Sequence, residues 1–220
     1  THMKGMKILR HAAIVFLVAT VSVSCAPNPT PAQKVDRSWG SGISPVSTNV
    51  AYGPLAEHRM DIYRVRTGGN KGTIVFVHGG GFVSGAKEDI NNGEYGQILR
   101  QMDRGYAVVT VNYRLATQAP FPAARDDVAL AIAHLRANGT TMGLNVGRLI
   151  VAGHSAGGSL ATMIGTNPGA PTQFGNVPRV DEYVAISPIT IFNGDGVAPM
   201  PSDFWVPSAQ RAAQSPLTTL

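Results

Sequence analysis

An α/β architecture, built on a mostly parallel, doubly wound sheet with an antiparallel N-terminal edge, is the fold this sequence predicts, and three features predict it. Near-continuous apolar runs stand at residues 73–77, 107–111, 149–152 and 183–186. Runs of Val and Ile without polar alternation suit strands buried on both faces, as in a parallel sheet. Helix-like stretches at 93–102, 123–137 and 156–165 alternate with them, and that alternation builds a doubly wound sheet. Each run also ends in a residue or loop suited to chemistry: His78, Asn112, Gly153 and Ser187. Ligands in open α/β sheets gather at such carboxyl ends.

The first 24 residues read as a processing signal rather than as fold. Thr1-His2-Met3 resembles a non-native remnant, Lys7 and Arg10 form a basic start, and an apolar stretch follows from Ala12 to Val23. That stretch is short for a bilayer span, which needs roughly 20 apolar residues, so a signal peptide is preferred to a transmembrane anchor. Cys25, the one cysteine of the chain, falls where such a leader is cut. Ser22-Val23-Ser24-Cys25 resembles a bacterial lipobox, although Ser22 stands where leucine is usual. Cys25 is therefore the expected lipidation site, and residues 25–44, opening on Ala26-Pro27-Asn28-Pro29-Thr30-Pro31, read as a Pro-rich tether. The expected location is exported: a cell-envelope lipoprotein, with a periplasmic or secreted protein as the alternative.

Residues 45–220 are expected to form one domain. Two short strands at 48–52 and 59–65, joined by a Gly53-Pro54 turn, supply the antiparallel edge. With 25 glycines and 15 prolines in 220 residues, the chain suits a loop-rich α/β domain. The formal charge is +5, but removing Lys4, Lys7 and Arg10 of the leader leaves 15 cations against 13 carboxylates. No basic stripe interleaved with aromatics appears, so nucleic-acid binding is not supported. A single cysteine permits no internal disulfide, and no His/Cys/Asp cluster has metal-ligand spacing. Neither metal nor organic cofactor is expected.

Chemistry is carried by two motifs. Gly153-His154-Ser155-Ala156-Gly157 lies between an apolar strand and a helix-like stretch, the context in which small residues on both sides turn the chain sharply enough to lift a serine above the sheet. His78-Gly79-Gly80-Gly81-Phe82 ends the run 73–77. Consecutive glycines leave backbone N–H groups unshielded and able to face a developing oxyanion. Both motifs are placed at strand ends, so they are predicted to converge.

With these motifs, Val50-Ala51-Tyr52-Gly53, Met60-Asp61-Ile62-Tyr63, Asn112-Tyr113-Arg114-Leu115 and Phe121-Pro122-Ala123-Ala124 with Asp127, the chain resembles the α/β-hydrolase superfamily. The resemblance is to bacterial carboxylesterases with an HGGG oxyanion loop, in the hormone-sensitive-lipase-like and feruloyl-esterase-like branches. It implies that Ser155 is the nucleophile and that Gly80, Gly81 and Ala156 are the oxyanion donors. It further implies that His78 braces the glycine loop and that Arg114 and Asp127 pair to support the loop 116–121. In this fold the acid and the histidine follow the nucleophile along the chain, yet all six histidines precede or adjoin Ser155. Residues 215–220 resemble the stretch before the strand that bears the acid, so residues 45–220 are expected to be the N-terminal portion of the domain, without its last strands. His154 is expected to point away from the serine, His134 toward the wet face of its helix, and His58 to lie in an edge-hairpin turn.

The expected activity is hydrolysis of short-chain or aryl carboxylic esters through an acyl-enzyme at Ser155, with a small-molecule ester as the partner and the membrane met only through a lipid anchor. Phe82, Phe204 and Trp205 are candidate pocket walls, with ordinary packing an equal reading. Two alternatives stand beside this activity. One is an inactive hydrolase-like envelope lipoprotein that binds a ligand; the other is a polysaccharide deacetylase or amidase on the same fold.

Overall fold

The computed structural model describes residues 43–189, residue 94 excepted. Within this span run β1 (Ser47–Ala51), β2 (Arg59–Tyr63), β3 (Gly72–Val77), α1 (Gly96–Leu99) and β4 (Tyr106–Val111). Then come α2 (Ala123–Asn138), β5 (Leu149–His154), α3 (Ala156–Thr166), β6 (Pro171–Thr172), β7 (Gly175–Asn176) and β8 (Glu182–Ile186). Six of the strands form one sheet in the order β1-β2-β4-β3-β5-β8. The last four of that order are parallel, whereas β2 pairs antiparallel with both β1 and β4. The predicted parallel sheet with an antiparallel edge is thus the observed one.

Successive side chains of a strand point to opposite faces, and here both faces are covered. Val75, Val77, Val109, Val111, Leu149 and Val151 face one way, where Val128, Ile132 and Leu135 of α2 and Leu160 and Ile164 of α3 meet them. Ile74, Phe76, Val108, Ile150 and Ala152 face the other way, against Ile90, Leu99 and Met102. This is why the strands read as unbroken apolar runs.

One expectation about the elements needs correction. Residues 93–102 do not form one helix: 3₁₀ turns at Lys87–Asn91 and Arg100–Arg104 flank the four-residue α1. Gly93 and Gly96 both lie in that stretch, and glycine costs a helix interior about 1 kcal/mol relative to alanine. Gly105, at φ 93°, then ends the segment in the left-handed conformation. The small hairpin β6–β7 has no counterpart in the sequence reading, because two-residue strands carry no periodicity.

No helix among the described residues is long and apolar enough to cross a membrane. The leader, Cys25, residues 25–42 of the tether, Phe204 and Trp205 lie outside the described residues.

Leu160 is fully buried beneath the sheet on the helix that follows Ser155. Leu160→Ala is expected to cost about 2–5 kcal/mol, the usual range for a large-to-small change in a packed core. Thermal denaturation of the two proteins checks it, with a fall of several degrees in Tm expected.

Candidate active site

At the carboxyl end of β5 the backbone turns with almost no space to spare. Ser155 sits at φ 52°, ψ −119°, a region that costs a non-glycine residue of order 1–3 kcal/mol and persists only where its surroundings enforce it. The enforcement is steric. A Cβ on Gly153 would stand 2.1 Å from the carbonyl oxygen of Gly157, and one on Gly157 would stand 2.1 Å from the carbonyl oxygen of Val77. The glycines let the start of α3 press against the ends of both β3 and β5. The Ser155 N–H donates to the Ile186 carbonyl at 2.9 Å, and the Ser155 carbonyl accepts from the Ser159 N–H at 3.0 Å. Ala156 is the first residue of α3, so its N–H is one of the donors that a helix start leaves without an intrahelical acceptor.

The glycine loop arrives from the neighbouring strand, since Val77 is in register with Gly153. The two motifs do converge: a Cβ on Gly79 would lie 3.3 Å from Ser155 Cβ. Gly80, Gly81 and Phe82 all have positive φ, at 105°, 61° and 65°. A substituent on Gly80 would meet the Ser84 carbonyl oxygen at 2.1 Å, because the Val83 and Ser84 N–H groups both donate to the Gly80 carbonyl. Among the described residues, no backbone or side-chain acceptor takes the N–H of Gly80 or Gly81.

The direction of those N–H groups is set from below. His78 is buried, and its Nδ1 lies 2.8 Å from the Gly79 carbonyl oxygen. The oxygen can only accept, so Nδ1 carries the proton. Tyr113 stacks on the His78 ring at 4.3 Å, and its hydroxyl donates to the His78 carbonyl at 3.0 Å. A trans peptide points its C=O and N–H in opposite directions. Holding the Gly79 carbonyl toward His78 therefore turns the Gly80 N–H the other way. Burial lowers the His78 pKa, outweighing the opposing effect of the Gly79 hydrogen bond, and keeps the ring neutral.

Further contacts around the loop all come from the segment after β4. The Asn112 side-chain oxygen accepts from the Lys87 N–H at 2.7 Å, and the Ala116 N–H donates to the Phe82 carbonyl at 2.8 Å. Arg114 forms a forked pair with the fully buried Asp127, Nη2 to Oδ1 at 2.6 Å and Nε to Oδ2 at 2.9 Å. Asp127 also accepts from the Arg114 N–H at 2.8 Å. The predicted Arg114–Asp127 pair is thus present, and the hydrogen bond to Asp127 raises the Arg114 pKa. Farther along the loop, Lys87 is buried and pairs with Asp61 at 3.0 Å. Burial would lower its pKa, but hydrogen bonds to Glu88 and Asp61 prevail and hold the ammonium above its ordinary value. Asn112, Tyr113 and the Lys87–Asp61 pair are further supports, not evident from the sequence alone. The dense polar composition of Asn112-Tyr113-Arg114 after an apolar strand was the available signal.

The histidines fall as follows. His154 turns to Tyr95, its Nδ1 3.1 Å from the phenol oxygen, in keeping with the expected direction away from Ser155. His58 lies in the β1–β2 hairpin connection, as expected, and is fully buried there: it stacks on Tyr52 at 4.9 Å, and its Nε2 stands 3.0 Å from Asp127 Oδ1. That contact is off the line of a good hydrogen bond. The edge hairpin folds back over α2, which no local pattern reveals. His134 is half-buried rather than wet, with a ring nitrogen that reaches no partner, and burial lowers its pKa. Among the described residues no histidine hydrogen-bonds to the Ser155 hydroxyl. Phe82 is 2% exposed and belongs to the core rather than to a pocket wall. Asp181 accepts from the Leu149 N–H at 2.7 Å, at the opposite end of the sheet from Ser155. Among the described residues no group of three His, Cys, Asp or Glu side chains is placed to hold a metal ion.

A strained serine at a strand–helix elbow, facing a glycine loop from the adjacent strand, is the arrangement with which known families can be compared. The family model BD-FAE matches residues 60–192. The chain belongs to the BD-FAE family. This is a hormone-sensitive-lipase-like branch of the α/β-hydrolases, and the match runs from β2 past β8. Among curated relatives, the BD-FAE chain is 32% identical over 130 residues to the esterase LipI of Mycobacterium tuberculosis, covering 59% of this chain and 37% of LipI. It is 37% identical over 117 residues to an ethyl acetate hydrolase of Pseudomonas putida, covering 53% of this chain and 35% of that protein. The chain thus spans less than two fifths of the length of these relatives. Among solved structures, a bifunctional GH43-CE protein of Bacteroides eggerthii superimposes with a TM-score of 0.64 at 24% identity, over 79% of this chain and 29% of that one. Esterase Est2 of Thermogutta terrifontis gives a TM-score of 0.61 at 19% identity, over 81% and 65%. Both likenesses support the α/β-hydrolase fold.

Two outcomes follow from the loop supports. Asp127→Ala leaves Arg114 with its charge unanswered, and removing one partner of a buried pair costs about 3–5 kcal/mol; denaturant titration should show that loss. His78 binds its proton less readily folded than unfolded, so its neutral form contributes stability above about pH 6.5. That contribution fades as pH falls through the lowered folded value. The Tm advantage of wild type over His78→Asn should therefore shrink between about pH 7.5 and pH 5. Parallel Tm curves for the two proteins would contradict it.

Proposed function

We propose that the complete protein is a serine carboxylic-ester hydrolase and that Ser155 carries the acyl group. The observation that carries the reading is the meeting of the Ser155 elbow with the glycine loop, Gly79 lying against Ser155. Named esterases among the relatives support ester hydrolysis as the class of reaction.

In this mechanism Ser155 Oγ attacks the ester carbonyl carbon while its proton passes to a general base. The carbonyl oxygen becomes an oxyanion, held by the N–H groups of Gly80, Gly81 and Ala156. Their directions are fixed before substrate arrives, so they need no reorganisation as charge develops; one such donor is worth about 2.7–4 kcal/mol of barrier. The tetrahedral intermediate collapses, the alcohol leaves with the proton, and an acyl-serine remains. Water, deprotonated by the same base, attacks the acyl carbon and releases the acid. None of the described histidines hydrogen-bonds to the Ser155 hydroxyl, so the general base and its acid partner are proposed to come from outside the described residues. Short-chain or aryl esters are the proposed substrates.

Ser155→Ala in the complete protein should lower turnover of a chromogenic acetate ester by about 10⁴-fold or more. Undiminished turnover in that variant refutes the role of Ser155.

A further inference from the structure

The sheet separates charge between its two ends. At the amino ends of the parallel strands stand Lys71 before β3, Arg104 before β4 and Arg148 before β5. Arg64 and Arg66 join them as β2 leaves the sheet, its last residue Tyr63 lying opposite Val108. Arg136 and Arg179 complete the group beside the start of β8, where the Arg136 guanidinium reaches the Arg179 carbonyl at 3.3 Å. These are seven cations, and the carboxylates at the same end are Asp103, Asp181 and Glu182. Each carboxylate is taken: Arg66–Asp103 at 3.5 Å, Arg136–Asp181 at 2.8 Å and Arg148–Glu182 at 2.5 Å.

Arg64, Lys71, Arg104 and Arg179 remain, all exposed and with no carboxylate among the described residues within ion-pair distance. The opposite end, which holds Ser155, is the reverse. Arg59, Lys87, Arg114 and Arg125 are outnumbered there by Glu57, Asp61, Glu88, Asp89, Asp126 and Asp127. A domain whose sequence is nearly balanced is therefore polarised, basic at one end and acidic at the end that carries the nucleophile.

The chain also enters the sheet at the basic end. The Val46 N–H donates to the Ile62 carbonyl and Ser47 lies opposite Ile62, near the exit of β2. Ile43, Ser44 and Val46 line an open groove with Arg64, Arg66 and Met102. Residue 43, the first described residue, thus lies at this end.

We propose that the basic end of the sheet is a docking surface for the anionic phospholipid headgroups of a membrane, holding the Ser155 end toward solvent. The proposal rests on the reading of Cys25 as a lipid anchor for its biological setting, not for its physics. A negatively charged leaflet attracts Lys and Arg near it, about fivefold in affinity per residue. The acidic end is repelled, which orients the domain.

The test compares the full chain with the variant carrying Arg64→Glu, Lys71→Glu, Arg104→Glu and Arg179→Glu. Both keep the same leader, so the difference between them reports this surface alone. Vesicles of phosphatidylcholine, with and without about 30% phosphatidylglycerol, are the probe, and co-sedimentation is the readout. The wild type should prefer the anionic vesicles, the variant should bind them at least about tenfold more weakly with an unchanged Tm, and about 0.5 M salt should erase the difference. Equal binding of the two proteins to anionic vesicles overturns the proposal. So does a polyanion such as heparin that binds the wild type and not the variant while the vesicles show no preference. Mass spectrometry of Cys25 decides the anchor separately: an unacylated Cys25 removes the anchor and leaves the vesicle result to stand on its own.

Discussion

The site depends on one steric constraint, the absence of room for side chains where α3 begins. Gly153 and Gly157 leave space for carbonyl oxygens of the helix start and of β3 about 2 Å from where a Cβ would stand. That closeness brings two strand ends and a helix terminus to one point, and it pushes Ser155 into a backbone region it would not choose. The large core behind it, with Leu160 and Ile164 fully buried, offsets the strain. Any relaxation of the packing would let the serine fall back along the strand.

A second layer of control is polar, and it runs through the segment that follows β4. Asn112, Tyr113, Arg114 and Ala116 each contact the glycine loop or its anchor, through Lys87, His78, Asp127 and Phe82 in turn. A glycine-rich loop has the conformational freedom to adopt positive φ but no side chains with which to hold it. The neighbouring segment supplies the missing contacts. Stiffness is thus provided by one part of the chain and exposure of N–H groups by another. The forked Arg114–Asp127 pair is the strongest link, since both of its partners are largely shielded from water and the carboxylate accepts from the Arg114 backbone as well.

Charge is arranged on a larger scale than the site. Ion pairs consume the carboxylates at the amino end of the sheet and leave cations over, while buried carboxylates such as Asp61 and Asp127 collect at the other end. Surface pairs of this kind add little stability. Their effect here is to determine which charges remain available to a partner.

Much was legible in the sequence because the responsible signals are local. Unbroken Val and Ile runs marked the parallel strands, and a serine or a triple glycine directly after such a run marked the site, since a parallel sheet delivers strand ends to the same side. The Arg114–Asp127 pair was legible only through family resemblance. What only the tertiary structure decided involves residues far apart in the chain. His58 is buried against Asp127, 69 positions away as the numbering runs, because the edge hairpin folds over α2. Tyr113 aims the Gly79 peptide because two neighbouring strands end together. The basic end exists only once strand starts distant in sequence are lined up by their hydrogen-bond register. Composition counts charges, but register places them.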